Sequence, residues 1–249
     1  MVANYGGGSC ASYQVKDDGS LTEAVSHHQH TGSSVNEKRQ AAPHTHSVNF
    51  SPDNRFALVC DLGLDKVLIY KIDPATGKSE PHGEGKVPAG SGPRHLAFHP
   101  NGKFVFVNNE ITLTETVFAW DAEKGTLTEV QTISTIPEAD RSQSGLSTAE
   151  TRVHPNGKFV YVSNRGHDTI AVFTCDPTTG KLKLIQNANV EGKTPRNFNL
   201  DPSGKWCIAA HQGSNSVALF KVDPKTGKLT FTGTKHEVGG PCCVRFLEL

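Results

Sequence analysis

Short apolar runs alternate with turn residues along the whole chain, without the 3.6-residue period of a long amphipathic helix. Four clear examples lie at residues 56–60, 104–107, 159–162 and 206–210. Each is preceded by a proline and by Gly, Asn or Asp, which are the residues that tight turns favour. Such runs, bounded by turn signals, are typical of β-strands. The pattern therefore predicts an all-β chain.

The apolar runs recur with a period near fifty residues. A proline follows the first run of each unit, at Pro52, Pro100, Pro155 and Pro202, so that successive prolines lie 48, 55 and 47 residues apart. An aspartate-led turn follows the third run of each unit, at residues 73–78, 121–125, 176–181 and 223–228. Four strands with tight turns at this period indicate a β-propeller blade, whereas a β-sandwich would not repeat one turn four times.

Both ends of the chain resemble fragments of the same unit. Residues 3–15 match the second and third strands, and residues 241–246 match the first strand. We therefore predict one domain over residues 1–249, a propeller of five four-stranded antiparallel blades. The tail from Cys242 to Leu249 should pair with the strand from Val2 to Tyr5, because this closes the ring and removes both open edges.

Composition narrows the possible partners. The 25 basic and 25 acidic residues balance, which gives no electrostatic reason to expect nucleic acid or an anionic membrane surface. No apolar run of about eighteen residues predicts a membrane span, and residues 1–8 lack the pattern of a signal peptide. The six cysteines form no CxxC pair. We predict buried, reduced thiols in a cytoplasmic monomer that uses no cofactor and no metal.

Candidate functional residues are the positions that differ between repeats. Scaffold positions should look alike in every copy, whereas three sets vary and are rich in His, Arg and Glu. Six residues before each proline stand His46, Arg94, Ala149 and Arg196. Next to them stand Ser47, His95, Glu150 and Asn197, and Leu62, Glu110, Arg165 and Gln212 end the second runs. The first strand of a blade faces the central channel, so these positions predict one shared pocket at a channel mouth.

The remaining histidines are given structural roles. His99 and His154 adjoin turn prolines and are predicted to lie at the surface. His27, His28 and His30 are predicted to lie in a loop, because no cysteine or carboxylate has ligand spacing with them. His44 and His46 alternate on one strand, and the repeat register selects His46 as the residue that faces the channel.

The motifs around these positions resemble the lactonase family of seven-bladed β-propellers, which includes bacterial 6-phosphogluconolactonases and, more distantly, fungal muconate lactonizing enzymes. The resemblance rests on His44-Thr45-His46, Gly92-Pro93-Arg94-His95, Asn109-Glu110, Ala149-Glu150, Ser163-Asn164-Arg165 and Thr194-Pro195-Arg196. It implies that His46, Arg94, Glu110 and Arg165 are catalytic. It also implies that Glu150 and Arg196 are further pocket positions. With His95 and Gln212, which the repeat register selects, they are predicted to bind substrate.

The family has seven blades, and this sequence carries about two fewer at its N-terminus. Met1 falls inside a predicted strand. The sequence is therefore interpreted either as a compact five-bladed relative or as part of a longer chain, and the second interpretation is favoured.

The resemblance implies hydrolysis of a sugar lactone, with a phosphorylated lactone as the expected anionic substrate. His46 would act as general base, oriented by Glu110 or Glu150. Arg94 and Arg165 would hold the oxyanion, and Arg196 the phosphate. One alternative is a cycloisomerase acting on a muconate-type dicarboxylate, and another is a non-catalytic binding scaffold. A scaffold would scatter these side chains, whereas either enzyme would gather them in one site.

Overall fold

The computed structural model describes residues 1–247, which form nineteen strands in five antiparallel sheets. Blade 1 contains β1 (Val2–Asn4), β2 (Ser9–Ser12) and β3 (Ser26–Gln29). Blade 2 contains β4 (Thr45–Phe50), β5 (Phe56–Asp61), β6 (Lys66–Ile72) and β7 (Ser79–Lys86). Blade 3 contains β8 (Pro93–Phe98), β9 (Phe104–Asn109), β10 (Thr114–Asp121) and β11 (Thr126–Ser134). Blade 4 contains β12 (Ser147–Val153), β13 (Phe159–Arg165), β14 (Thr169–Cys175) and β15 (Leu182–Asn189). Blade 5 contains β16 (Pro195–Leu200), β17 (Trp206–His211), β18 (Ser216–Val222) and β19 (Leu229–Glu237).

The order of strands confirms the propeller-like repeat. In blades 2 to 5, four consecutive strands pair with their sequence neighbours, and the innermost strands β4, β8, β12 and β16 lie side by side. A single 3₁₀ turn, Glu138–Asp140, interrupts the connection between blades 3 and 4. Each predicted aspartate-led turn joins the third and fourth strands of its blade, and its glycine donates a backbone hydrogen bond to the aspartate carbonyl.

The hydrophobic core consists of layers between neighbouring blades. Phe56 and Leu58 of blade 2 pack with Val105 and Phe118 of blade 3, and equivalent clusters lie between the other neighbours. Since both faces of an inner blade are covered, its second strand is apolar without alternation, as in β9 and β13. This explains why the second runs were the clearest signals in the sequence.

Glycines in the aspartate-led turns allow the blades to approach closely. Gly180 has φ +72°, and a Cβ there would lie 2.5 Å from Phe104 of the preceding blade. Gly227 has φ +71°, and a Cβ there would clash with the ring of Phe159. The two turns need glycine for conformation and for space, since the aromatic ring occupies the side-chain position.

Two buried histidines also join blades, and our prediction that they lie at the surface is wrong. His99 and His154 are only 4% and 5% exposed. His99 Nε2 donates to Gly157 O of the next blade at 2.8 Å, and His154 Nε2 donates to Gly204 O at 2.9 Å. The other ring nitrogen of each accepts a backbone N–H two residues further on. The proline turn is covered by the next blade, which a single repeat cannot reveal.

Replacing His154 with alanine should therefore lower the free energy of unfolding by about 1–3 kcal/mol, because the buried carbonyl of Gly204 loses its donor. Urea denaturation of the two proteins measures the difference. His27 is exposed on β3 and provides the matched control, for which the change should stay within about 0.5 kcal/mol. Equal effects of the two substitutions would contradict the inter-blade role.

Two of the three histidines near residue 30 lie in a strand, so the prediction that all three lie in a loop is wrong for His27 and His28. His27 and His28 belong to β3, and His30 follows it in a buried position. His30 Nδ1 lies 2.6 Å from Asp61 Oδ2, and its Nε2 lies 2.7 Å from the Tyr70 hydroxyl. These bonds join blades 1 and 2, so the histidine satisfies a buried carboxylate.

The ends of the chain match the prediction only in part. Blade 1 lacks an innermost strand, as predicted. However, residues 241–247 form no strand, and β1 pairs with β2 alone. Asn197 Oδ1 accepts from Val244 N at 2.8 Å, and Asn199 Nδ2 donates to Val244 O. The predicted closure is not found in residues 242–247, because these asparagines of β16 bind the tail backbone; Glu248 and Leu249 lie outside the described residues.

The sequence also led to predictions about the cysteines, about membrane-spanning segments and about metal sites. The four strand cysteines Cys10, Cys60, Cys175 and Cys207 are buried and unpaired, whereas Cys242 and Cys243 are exposed. Within residues 1–247 no helix has the length and hydrophobicity needed to cross a bilayer. The same residues contain no group of three or more His, Cys, Asp or Glu side chains arranged to hold a metal ion.

Candidate active site

Backbone irregularities place the predicted site residues. The innermost strand of each complete blade has a register shift against its neighbour at the same position. In blades 2, 3 and 5 the residue left without a partner is His46, Arg94 or Arg196. A β-bulge re-aims a side chain out of the regular alternation. The first of the three varying sets, which contains His46, Arg94 and Arg196, therefore occupies the bulged positions of these strands.

These bulges open onto one polar cleft of about 510 Å³. Its lining residues are Tyr5, Arg39, His46, Glu110, Arg165 and Arg196. Glu110 directly follows β9 and Arg165 ends β13, as the repeat register requires. Four of the eight predicted residues line the cleft: His46, Glu110, Arg165 and Arg196. The other four lie below it (Arg94, His95, Glu150) or at its edge (Gln212).

Glu110 holds the cleft together by pairing with three arginines. Its Oε2 accepts from Arg94 Nε at 2.9 Å and from Arg165 Nη2 at 3.0 Å, while its Oε1 accepts from Arg39 Nη2 at 2.5 Å. Although burial opposes ionisation, the guanidiniums of Arg165, Arg39 and Arg94 hold the pKa of Glu110 below its usual value. The carboxylate stays charged and does not contact His46, so its predicted role in orienting that histidine is wrong.

Arg94 lies beneath Glu110 rather than in the cleft. Its side chain is only 2% exposed and also donates to the Ala149 carbonyl. Burial, together with repulsion from Arg165, lowers the pKa of Arg94 to about 10, which still leaves it charged at neutral pH. Arg94 therefore fixes the carboxylate of Glu110 from below.

A second buried carboxylate, Glu150, binds His95. The distance from His95 Nδ1 to Glu150 Oε1 is 3.0 Å, and Arg152 Nη2 lies 3.2 Å from Glu150 Oε2. Asn197 also donates its side-chain amide to Glu150. Against the effect of burial, His95 and Arg152 hold the pKa of Glu150 below its usual value. Glu150 is engaged below the cleft, so the prediction that it orients His46 is also wrong.

His46 is a neutral imidazole surrounded by cations. Burial and repulsion from Arg94 and His95, with a further contribution from Arg196, lower the pKa of His46 to about 2. Its Nδ1 is buried without a hydrogen-bond partner in residues 1–247. Its ring lies 5.1 Å from that of His95 and 5.5 Å from that of Tyr5, centroid to centroid. Because Nδ1 is buried, a molecule in the cleft can reach the imidazole only at its other nitrogen, Nε2.

Arg196 and Gln212 form the outer edge of the cleft. Arg196 Nη1 lies 3.4 Å from Gln212 Oε1, a neutral partner, and Gln212 is exposed. Arg196 is thus the lining arginine with no carboxylate partner among residues 1–247. An anionic ligand would meet this guanidinium at little desolvation cost.

Sequence reasoning missed Arg39 and Tyr5. Arg39 lies in a segment with no counterpart in the other repeats, so comparison of repeats could not select it. Tyr5 directly follows β1 as Glu110 directly follows β9, so it was missed only because the comparison did not include the incomplete first repeat. Tyr5 follows β1 and stacks on His44 at 4.6 Å. Arg39 lies in the connection between blades 1 and 2. The repeat therefore carried a signal for Tyr5 but none for Arg39.

The fold is that of a known β-propeller family. The family model described as "Lactonase, 7-bladed beta-propeller" matches residues 1–246. The chain belongs to this family. The 6-phosphogluconolactonase of Bacillus subtilis is 36% identical over the full chain, which covers 70% of that protein.

Two further relatives show how far the similarity extends. An uncharacterized protein of Lactococcus lactis is 38% identical over 80% of this chain, which spans 57% of that protein. The periplasmic gluconolactonase of Pseudomonas aeruginosa superposes with a TM-score of 0.91 at 34% identity, over 99% of this chain and 69% of that one. Blade geometry is therefore shared over nearly the whole chain.

Proposed function

We propose that the protein hydrolyses a sugar lactone, with a phosphorylated lactone of the 6-phosphogluconolactone type as its preferred substrate. The observation that carries the proposal is the cleft itself, in which a neutral histidine and three lining arginines surround one carboxylate. The names of the Bacillus and Pseudomonas relatives support the same chemistry. The convergence of these side chains favours an enzyme over a binding scaffold.

Lactone hydrolysis requires a base and a site for negative charge. A water oxygen attacks the carbonyl carbon, and His46 takes the proton that this water releases. Charge then develops on the carbonyl oxygen, where Arg165, which lines the cleft, donates to it. When the ring C–O bond breaks, the imidazolium returns its proton to the leaving oxygen. The products are a hydroxyl group and a carboxylic acid, which releases its remaining proton to water and becomes a carboxylate.

The buried groups keep this arrangement in place. Arg94 positions Glu110 and is assigned to support rather than to the oxyanion, because its guanidinium lies below the cleft. Glu110 holds Arg165 at 3.0 Å, and Arg165 also donates to the Thr148 carbonyl at 2.8 Å. His95, held by Glu150, packs against His46 and limits its rotation. Fixed donors of this kind need little reorganisation during the reaction.

Arg196 is assigned to the phosphate of the substrate, with Gln212 beside it. Replacing Arg196 with alanine should lower the ratio of kcat/KM for 6-phosphogluconolactone to that for the unphosphorylated lactone by about tenfold or more, because a charged hydrogen bond is lost. Initial rates with both lactones measure this ratio. Lys205→Ala removes a cation from an exposed turn of the same blade and should leave the ratio unchanged.

An equal loss for both lactones in the Arg196 variant would contradict the phosphate assignment. Absence of hydrolysis of either lactone by the unaltered protein would contradict the proposed function. Turnover of a muconate-type dicarboxylate in that case would favour the cycloisomerase alternative.

We also propose that the protein works as a monomer in the cytoplasm. The four buried thiols, which form no disulfide within residues 1–247, are consistent with a reducing compartment. The zero net charge gives no attraction to nucleic acid or to an anionic membrane.

A further inference from the structure

Arg39 is the least buried of the three arginines that bind Glu110. Its side chain is 42% exposed, against 14% for Arg165 and 2% for Arg94. Arg94 and Arg165 also donate to backbone carbonyls, and both share Oε2 of the carboxylate, whereas Arg39 alone occupies Oε1. If Arg39 moved away, Glu110 would still be paired with two guanidiniums.

The backbone that carries Arg39 is firmly held. Gln40, the next residue, is fully buried and donates to Leu62 O at 2.8 Å and to Asp65 Oδ1 at 2.7 Å. Arg39 N donates to Asn36 O at 3.0 Å. The guanidinium is therefore attached to a fixed point at the cleft wall, while its tip remains open to water.

The cleft carries more positive than negative charge. Arg39, Arg94, Arg165 and Arg196 surround a single carboxylate, that of Glu110. Glu150, the next carboxylate, already pairs with His95 and Arg152. Clustered guanidiniums repel one another, so an incoming anion is stabilised by those that can turn toward it.

We propose that Arg39 is a specificity residue that exchanges its partner: it leaves Glu110 when substrate binds and, with Arg196, holds the phosphate of the lactone. The proposal rests on the proposed function. Phosphate offers several acceptor oxygens and suits two guanidinium donors at once. The exchange replaces one ion pair of Arg39 with another, so little charge pairing is lost, and the half-exposed side chain requires little further desolvation.

The test compares Arg39→Ala with Lys38→Ala, which removes a neighbouring exposed cation outside the cleft lining. We expect Arg39→Ala to lower the ratio of kcat/KM for phosphorylated over neutral lactone by about tenfold or more, and Lys38→Ala to leave it unchanged. Arg39→Lys should recover part of the ratio, since it restores the charge without the planar donor pair. A double variant combines Arg39→Ala with Arg196→Ala. Its loss of this ratio, expressed as a free energy, should differ from the sum of the two single losses, because both arginines contact the same phosphate.

If Arg39 only neutralises Glu110, its removal should reduce kcat/KM equally for both lactones, and that result would overturn the proposal. Strictly additive losses in the double variant would overturn the inference that Arg39 and Arg196 bind the same phosphate. Calorimetry with 6-phosphogluconate and gluconate provides a readout independent of catalysis. The unaltered protein should prefer the phosphorylated ligand, and Arg39→Ala should lose that preference at least in part. An unchanged preference in the variant, or none in the unaltered protein, would overturn the exchange even if no lactone is hydrolysed.

Discussion

Replacing Glu110 with alanine should lower the free energy of unfolding by about 3–5 kcal/mol, because the substitution leaves a buried arginine without its carboxylate. Arg94 is the residue most affected, since its side chain is only 2% exposed and is therefore not solvated by water. Arg165 and Arg39 would lose the same partner and repel one another across the cleft. Activity should fall with stability, because the lining arginine that serves the oxyanion is no longer held.

Urea denaturation of Glu110→Ala and Glu110→Gln measures this effect. The glutamine variant keeps the shape and one acceptor oxygen, and should lose less than the alanine variant. Glu84→Gln is the matched control, since Glu84 pairs with Lys66 and Lys86 at a more exposed position and should lose at most about 1 kcal/mol. Added phosphate should restore part of the stability of Glu110→Ala by binding the freed arginines. A loss below about 1 kcal/mol in Glu110→Ala would contradict the role of Glu110 as the centre of the cluster.

Replacing His46 with alanine should reduce kcat by about 100-fold or more for both lactones, as expected for loss of a general base. The pH dependence should be unusual. Because the pKa of His46 is about 2 in the free protein, the imidazole is unprotonated at every working pH, and kcat/KM should show no acid limb near pH 6.5 from this group. The carboxyl groups of Glu110 and Glu150, whose pKa values are also lowered, should stay ionised over the same range.

The pKa of His46 should be higher in the substrate complex than in the free protein. A phosphorylated substrate brings negative charge among the arginines that depress the pKa of His46, so His46 becomes a stronger base once substrate is bound. Profiles of kcat/KM report the free protein and profiles of kcat the complex, which separates the two states. An acid limb near pH 6.5 in kcat/KM that disappears in His46→Ala would show that the free imidazole titrates normally and would contradict the described cation field.

The lowered pKa of His46 also makes the stability of the fold depend on pH, and proton linkage gives the direction of this dependence. A histidine whose pKa is lowered on folding binds more protons in the unfolded chain, so its contribution is fully present above the unfolded pKa near 6.5 and is lost as pH falls below it. His46, with a pKa of about 2, and His211, with a pKa of about 4, act in the same direction. The protein is therefore expected to become less stable between pH 6.5 and pH 4.

Much of the fold could be predicted because the sequence features that define a blade recur in every repeat. The prolines, the aspartate-led turns and the apolar second strands recur, and each reports one local requirement of a blade. The varying positions led to His46, Arg94 and Arg196, which prove to be the bulged residues of their strands. Register alone selected them, since a bulge falls at the same place in each copy.

Contacts between elements distant in sequence could not be predicted. His99 resembles a surface residue beside a turn, and only the next blade shows that it is buried. Arg39 reaches Glu110 across 71 positions of sequence from a connection that occurs once in the chain. The partners of Glu150 likewise come from three strands, and nothing in the local sequence indicates which carboxylate meets which histidine.

The glycine contacts between blades have a consequence for how the molecule comes apart. Phe104 lies against Gly180, and Phe159 lies against Gly227, in the same orientation from one blade to the next. Each inner blade therefore presents an aromatic ring on one side and a glycine on the other, so that the same type of contact links successive blades. Unfolding of one blade removes stabilisation only from its two neighbours, so cooperativity depends on these interfaces rather than on one central core. A substitution such as Gly180→Ala should thus weaken the interface between blades 3 and 4 and make the unfolding transition less cooperative, although His99 and Arg94 still join the two blades.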